Sequence, residues 1–77
     1  MPEAFVLFKT LPSREREVYL TLNNHDSVKE VHALYGEYDL VVRVSSNDSS
    51  KLSTMLMNDF RQIDGVKDTQ TLIAVEY

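Results

Sequence analysis

The 77-residue sequence predicts a single α+β domain spanning residues 1–77, with one four-stranded antiparallel sheet and two helices. Two observations support this fold class. Runs rich in β-branched and aromatic residues occur near both ends of the chain and on either side of Gly36, as is typical of strands. Between them lie two segments whose apolar residues recur at the spacing of a helix face.

The first two elements are a predicted strand and a predicted helix. The apolar and aromatic run at 4–9 is the strand. Ser13 is then placed to cap the free amides of a helix. Glu15 and Glu17 lie in the first turn of that helix, where the helix dipole favours negative charge. The apolar stripe of the helix consists of Val18, Tyr19 and Leu22.

Two further strands are predicted to form a hairpin around a glycine. The strands cover residues 28–35 and 40–45, and Gly36 supplies the backbone freedom that a tight turn needs. A polar loop at 46–50 leads into the second helix, which Gly65 is expected to end as a C-terminal glycine cap. The apolar face of this helix consists of Leu52, Met55, Leu56, Phe60 and Ile63.

The last strand is predicted over residues 66–77. The resulting order, βαββαβ, is that of the ferredoxin-like fold, and right-handed crossovers place both helices on one face of the sheet. The strands carry apolar residues on both of their faces, so a monomer would expose an apolar patch on the face without helices. We therefore expect the domain to dimerise through that face. The residues that alternate on one side of the last strand are Thr69, Thr71, Ile73 and Val75.

Composition and charge exclude several classes of function. The net charge is −4 and the Lys and Arg residues are scattered singly, so no direct binding to nucleic acid is expected. No apolar run approaches the roughly 20 residues of a membrane span, and no signal peptide is evident, which favours a cytoplasmic protein. Cysteine is absent, and His25 and His32 have no clustered carboxylates. We therefore expect no metal, no cofactor and no catalytic residues.

Two motifs carry a resemblance to a known family. The run Y-G-E-Y-D-L-V-V-R-V at 35–44 resembles a G-x-x-D hairpin followed by an apolar strand. The run I-D-G-V-K-D-T-Q-T at 63–71 resembles a Gly-Val pair at the end of a helix, followed by a strand with the pattern T-x-T. With both motifs at the family's spacing, the whole chain resembles the ligand-binding and oligomerisation domain of the leucine-responsive regulators (Lrp/AsnC), also called the RAM domain.

The resemblance implies an amino-acid-sensing and oligomerisation domain that acts in transcription regulation or amino-acid metabolism. In the family, effectors bind in crevices where dimers meet to form octamers. A zwitterionic amino acid needs a carboxylate for its ammonium group, and amides or hydroxyls for its carboxylate. The positions that the resemblance assigns to ligand binding are Gly36, Tyr38, Asp39, Thr69 and Thr71.

The resemblance also bears on partners. Family regulators carry an N-terminal helix-turn-helix domain, whereas the first strand here starts by residue 4. We therefore expect a stand-alone version of the domain, a homodimer or octamer. A full-length Lrp/AsnC regulator is a further partner, through mixed dimers.

The residues themselves leave other roles open for the five positions assigned to ligand binding. Asp39 can accept amides of its own turn, and Gly36 can be a purely conformational need. Tyr38 can be an interface packing residue, and Thr69 and Thr71 are good strand formers. At the level of function, the alternatives are a regulatory subunit of a metabolic enzyme, in the manner of ACT domains, and a small dimeric ferredoxin-like monooxygenase.

Overall fold

The computed structural model describes residues 3–74, apart from the side chains of Ser49 and Met57. The strands are β1 (Glu3–Thr10), β2 (Val28–Ala33), β3 (Leu40–Ser45) and β4 (Val66–Ile73), and the helices are α1 (Glu15–Asn23) and α2 (Ser49–Thr54), which continues as a π-helical segment (Met55–Phe60). The strands form one sheet in the order β2-β3-β1-β4, and each neighbouring pair is antiparallel. This confirms the predicted ferredoxin-like arrangement.

The core lies between the sheet and the helices, as predicted. Every second residue of β1 and β3 is buried, together with two residues of α1, and Phe8 packs edge to face against Phe60 with ring centroids 5.8 Å apart. Both helices therefore cover the same face of the sheet. The buried residues are Ala4, Val6, Phe8, Val18, Leu22, Leu40, Val42, Val44, Leu52, Met55 and Phe60.

The start of α1 differs from the prediction. Arg14 is the N-cap residue, and no side chain caps the helix. Ser13 has a φ of +69°, so it occupies a left-handed turn conformation instead of the extended conformation that an N-cap side chain requires. Asp48 does cap α2, because its side chain accepts a hydrogen bond of 2.8 Å from the amide of Ser50.

The ends of three elements also differ from the prediction. β2 ends at Ala33, where the chain leaves the ladder to form the hairpin tip. The second helix ends at Phe60, five residues before the predicted stop at Gly65, and turns connect it to β4. Gly65 lies in those turns with a φ of +98° and packs against α1. For the last strand, β4 is described as far as Ile73, and Val75 lies outside the described residues.

The face of the sheet without helices carries exposed apolar side chains. Phe5 is 39% exposed and Leu72 is 48% exposed, and the two are cross-strand partners on β1 and β4. Leu7 and Val41 are half-buried partners on the same face. We call this surface the open face. Within residues 3–74, none of the helices is long and apolar enough to cross a membrane.

Candidate functional site

The hairpin tip between β2 and β3 is open. Gly36 has a φ of +151°, and among the described residues other than its two chain neighbours no atom lies within 4 Å of the position that a Cβ atom would occupy. The neighbouring Tyr35 is fully exposed. Gly36 is therefore needed for the backbone conformation of the turn, and its main chain is accessible to another molecule.

Asp39 ties the hairpin to the end of β1. Its Oδ2 atom accepts hydrogen bonds from the amide of Thr10 at 2.9 Å and from the Thr10 hydroxyl at 3.1 Å. The Asp39 amide donates to the carbonyl of Phe8 at 2.8 Å. The donors to the side chain therefore come from another strand and not from the hairpin's own turn. Thr10 lies 29 residues away, so the sequence offered no signal for this pair.

Tyr38 lies over the end of β1 on the open face. Its hydroxyl donates to Oε1 of Gln70 at 2.5 Å, which joins the hairpin to β4. The ammonium of Lys9 lies 5.2 Å from the centre of the Tyr38 ring and 3.8 Å from a carboxylate oxygen of Glu37. Sequence reasoning identified neither Lys9 nor Gln70, although Gln70 stands between the two threonines of the T-x-T motif.

Thr69 and Thr71 lie on the opposite side of the sheet from Tyr38. They pair across strands with Phe8 and Val6, which are both buried under the helices. Cross-strand partners share a face, so both threonines lie on the helix-covered face, at the edge formed by β4. Thr69 is half-buried and Thr71 is exposed.

The structure does not bring the five predicted residues into one site. β1 separates the hairpin strand β3 from β4, which places the two strands about 10 Å apart. The clefts that border Thr69 and Thr71 contain no hairpin residue. An open cleft of about 510 Å³ lies at the base of the hairpin, between α1 and the strands, and contains neither threonine. Its lining residues are Ser13, Glu15, Arg16, Tyr19, Ala33 and Leu40.

Comparison with known proteins decides the family. Residues 3–77 match the family model described as the Lrp/AsnC ligand-binding domain. The chain belongs to this family. The Lrp/AsnC domain is 32% identical over 73 residues to the HTH-type transcriptional regulator FL11 of Pyrococcus abyssi, a match that covers 95% of this chain and 48% of the relative. The chain thus spans about half the length of the curated relatives that it matches.

Solved structures share the fold of this Lrp/AsnC domain. The crystal structure of FFRP-DM1 has a TM-score of 0.94 and 36% identity, covering 97% of this chain and 100% of that one. The structure of a transcriptional regulator from Neisseria meningitidis in complex with L-Met has a TM-score of 0.85 at 21% identity, covering 97% of this chain and 50% of that one. At that identity the second likeness shows the fold alone.

The family assignment bears on the prediction that the domain is not an enzyme. The family model that matches residues 3–77 describes a ligand-binding domain and not an enzyme, and FL11, which the chain matches over about half of its length, is named a transcriptional regulator. Both histidines have hydrogen-bond partners in the structure. His25 accepts from the amide of Ser27 through Nδ1, and its Nε2 faces Asp59 at 3.4 Å, so both ring nitrogens already have partners. His32 pairs with Glu30 on the open face.

A charged network borders the apolar part of the open face. Arg43 contacts Glu3 at 2.8 Å and Glu30 at 2.7 Å, and Glu30 also lies 3.1 Å from Nε2 of His32. The hydrogen bond to His32, followed by the bond to Arg43, lowers the pKa of Glu30 below its ordinary value. Hydrogen bonds to Glu3 and Glu30 raise the pKa of Arg43.

Proposed function

We propose that this Lrp/AsnC domain binds a free amino acid between copies of itself, and that binding controls the assembly of those copies. One observation carries the proposal. The two halves of the predicted site, the hairpin and the threonines of β4, lie on either side of β1, and none of the described hairpin residues lines the clefts beside the threonines. An amino acid that contacts both halves therefore needs a second copy of the domain.

The chemistry of the two halves suits a zwitterion. The exposed main chain around Gly36 and the hydroxyls of Thr69 and Thr71 are hydrogen-bond partners for a carboxylate. Asp39 uses one oxygen for Thr10, and within residues 3–74 its other oxygen has no hydrogen-bond partner. That oxygen is a partner for an ammonium group. The L-Met complex of the Neisseria meningitidis regulator supports an amino acid as the class of ligand.

The open face supports the first step of assembly. Phe5 and Leu72 form an exposed cross-strand pair whose burial against a second copy removes apolar area from water. A sheet-to-sheet homodimer is the smallest assembly that covers this surface. Docking of dimers, up to an octamer, then brings a hairpin of one dimer to β4 of another. A full-length Lrp/AsnC regulator carries the same kind of domain and is a second partner for this surface.

The control of assembly follows from linkage. A ligand shifts an equilibrium only through its different affinity for the two states. An amino acid that is bound by the hairpin of one dimer and by the threonines of another has its full set of contacts only in the docked state. The ligand therefore favours the larger assembly.

Sedimentation of the purified chain with each of the twenty amino acids tests the proposal. We expect a dimer without ligand and a shift to a larger assembly with the effector. Leu72→Glu should yield a monomer, because it places a charge beside Phe5 on the open face. The matched control is Leu20→Glu, which changes a leucine of similar exposure (47% against 48%) on α1 and should leave the dimer intact. A wild-type monomer at micromolar concentration with every amino acid would overturn the proposal.

A further inference from the structure

Arg61 lies where two clefts meet beside the threonines of β4. One cleft, of about 310 Å³, is lined by Arg61 and Thr69 together with Val66, Lys67 and Asp68. The other, of about 190 Å³, is lined by Arg61, Thr71, Ser53 and Leu56. Arg61 is the residue that the two clefts share. Ligand sites for small molecules begin at about 300 Å³, so the first cleft suits only a small ligand.

The two threonines present hydroxyls to the same side as these clefts. Thr69 and Thr71 are two residues apart on one strand, so they share a face and lie about 7 Å from each other along it. Arg61 follows directly on the π-helical segment that packs over this face. A guanidinium group and two hydroxyls therefore line one continuous edge of the domain, which is the set of donors that a carboxylate requires.

Arg61 has no anionic partner within residues 3–74. Two other arginines do: Arg14 pairs with Glu17 and Asp64, and Arg43 belongs to the network on the open face. Arg16 resembles Arg61 in being exposed, in lining a cleft and in having no ion pair within the described part of the chain. It differs from Arg61 in having no threonine hydroxyls beside it in that cleft.

The charges around Arg61 match the two ends of an amino acid. Lys67 adds a second cation to the larger cleft. Asp68 contributes a carboxylate, whose Oδ1 accepts the amide of Thr69 at 2.9 Å and whose Oδ2 has no hydrogen-bond partner among the described residues. The cleft therefore offers donors for the carboxylate of an amino acid, and Asp68 adds to Asp39 of the docked copy as a partner for the ammonium group.

We propose that Arg61 binds the α-carboxylate of the amino-acid effector, with the hydroxyls of Thr69 and Thr71 as further donors. This inference rests on the proposed function and adds to it the residue that selects for the carboxylate. A cation after the end of a helix is favoured by the helix dipole alone, and a lysine meets that need equally well. A planar guanidinium forms two parallel hydrogen bonds to a carboxylate, which a lysine does not.

A comparison of the binding of amino acids with that of their carboxamides distinguishes carboxylate recognition by Arg61 from a merely structural role at the end of the helix. Each of the twenty amino acids and its carboxamide, in which the carboxylate is replaced by a neutral amide, is titrated into the wild-type chain by calorimetry. For the tightest amino acid, Arg61→Gln should weaken binding of the acid about 10- to 100-fold, the effect of one charged hydrogen-bonded partner. Binding of the amide should change less than about threefold. Arg61→Lys should lose most of the preference for the acid.

The control is Lys29→Gln, which removes one positive charge from an exposed residue of β2 that lines none of the clefts described above and should leave both affinities unchanged. Melting of the ligand-free variants checks that they fold as the wild type does. If the acid and the amide lose affinity equally in Arg61→Gln, Arg61 contacts another copy and not the carboxylate. The inference about Arg61 is then wrong, although the domain still binds an amino acid. If no amino acid binds the wild type, the proposed function itself is wrong.

Discussion

The carboxylate of Asp39 and the amide of Thr10 are joined by a hydrogen bond of 2.9 Å that holds the hairpin tip onto the end of β1. The same oxygen also accepts the Thr10 hydroxyl at 3.1 Å. The aspartate of the G-x-x-D motif therefore shapes the site, whether or not it also contacts a ligand.

Asp39→Ala should lower the free energy of unfolding by about 1.5–3 kcal/mol, because a part-buried amide and a hydroxyl lose a charged acceptor. Urea denaturation measures this change. Glu37→Ala is the control in the same hairpin, since its contact with Lys9 is exposed and contributes less than about 1 kcal/mol. Equal effects of the two substitutions would contradict the structural role of Asp39.

The variant Thr10→Val separates the structural role of Asp39 from a role in binding. It removes the hydroxyl and keeps both the amide of residue 10 and the carboxylate of Asp39. If Asp39 contacts the effector, calorimetry should show that Asp39→Ala loses binding while Thr10→Val keeps it. If both variants lose binding equally, Asp39 acts on the ligand only by holding the hairpin.

Gly65→Ala should destabilise the domain more than Gly36→Ala does. Both glycines have a positive φ, which costs a non-glycine residue about 1–3 kcal/mol. At Gly65 an added Cβ also meets Cβ of Arg14 and Cγ2 of Val18 at 3.0 Å, whereas at Gly36 the described part of the chain places no such atom within 4 Å. We expect a further loss of about 1–3 kcal/mol from this crowding. A comparison of thermal melting measures the difference, and equal melting temperatures would show that α1 moves away without cost.

The stability of the domain should fall in acid partly through Glu30. Its pKa is lower in the folded state than its ordinary value because of bonds to His32 and Arg43. The folded state therefore binds this proton less readily than the unfolded state does. The stabilisation of the folded state by ionised Glu30 is present above the ordinary pKa of 4.5 and is lost as the pH falls through the lowered pKa.

Glu30→Gln should accordingly reduce the stability difference between neutral pH and pH 3. Denaturant unfolding at both pH values provides the test. Glu15→Gln is the control, because Glu15 is exposed and makes no ion pair within the described residues. An unchanged difference in Glu30→Gln would show that the network on the open face does not stabilise the fold.

The pattern of apolar residues was sufficient to predict the fold. The strands were identified from runs of β-branched and aromatic residues and the helices from their apolar stripes, and the burial of Val18 and Phe60 follows from those stripes. Local signals failed where neighbours in space decided the conformation. Ser13 is a good N-cap type but is held in a left-handed turn. Gly65 is of a residue type that often ends helices, but here it lies in a turn and allows α1 to approach closely.

The candidate site was only partly predictable. Its residues were identified from two motifs, but their arrangement depends on the order of the strands. β1 lies between the two halves of the site, and the register of β4 places the threonines on the helix-covered face, whereas Tyr38 bonds Gln70 on the open face. Lys9, Gln70 and Arg61 did not emerge from the sequence, because single polar residues carry no periodic signal.

By itself, the sequence determined the fold class, the hairpin around Gly36 and the membership of the motif residues in one family, since each depends on periodicity or on residues close in the chain. Only the tertiary structure decided that Asp39 binds Thr10 and that β1 lies between the hairpin and the threonines of β4. The physical reason is that strand order and register bring together residues that are 29 or more positions apart, and no local propensity encodes such a pairing.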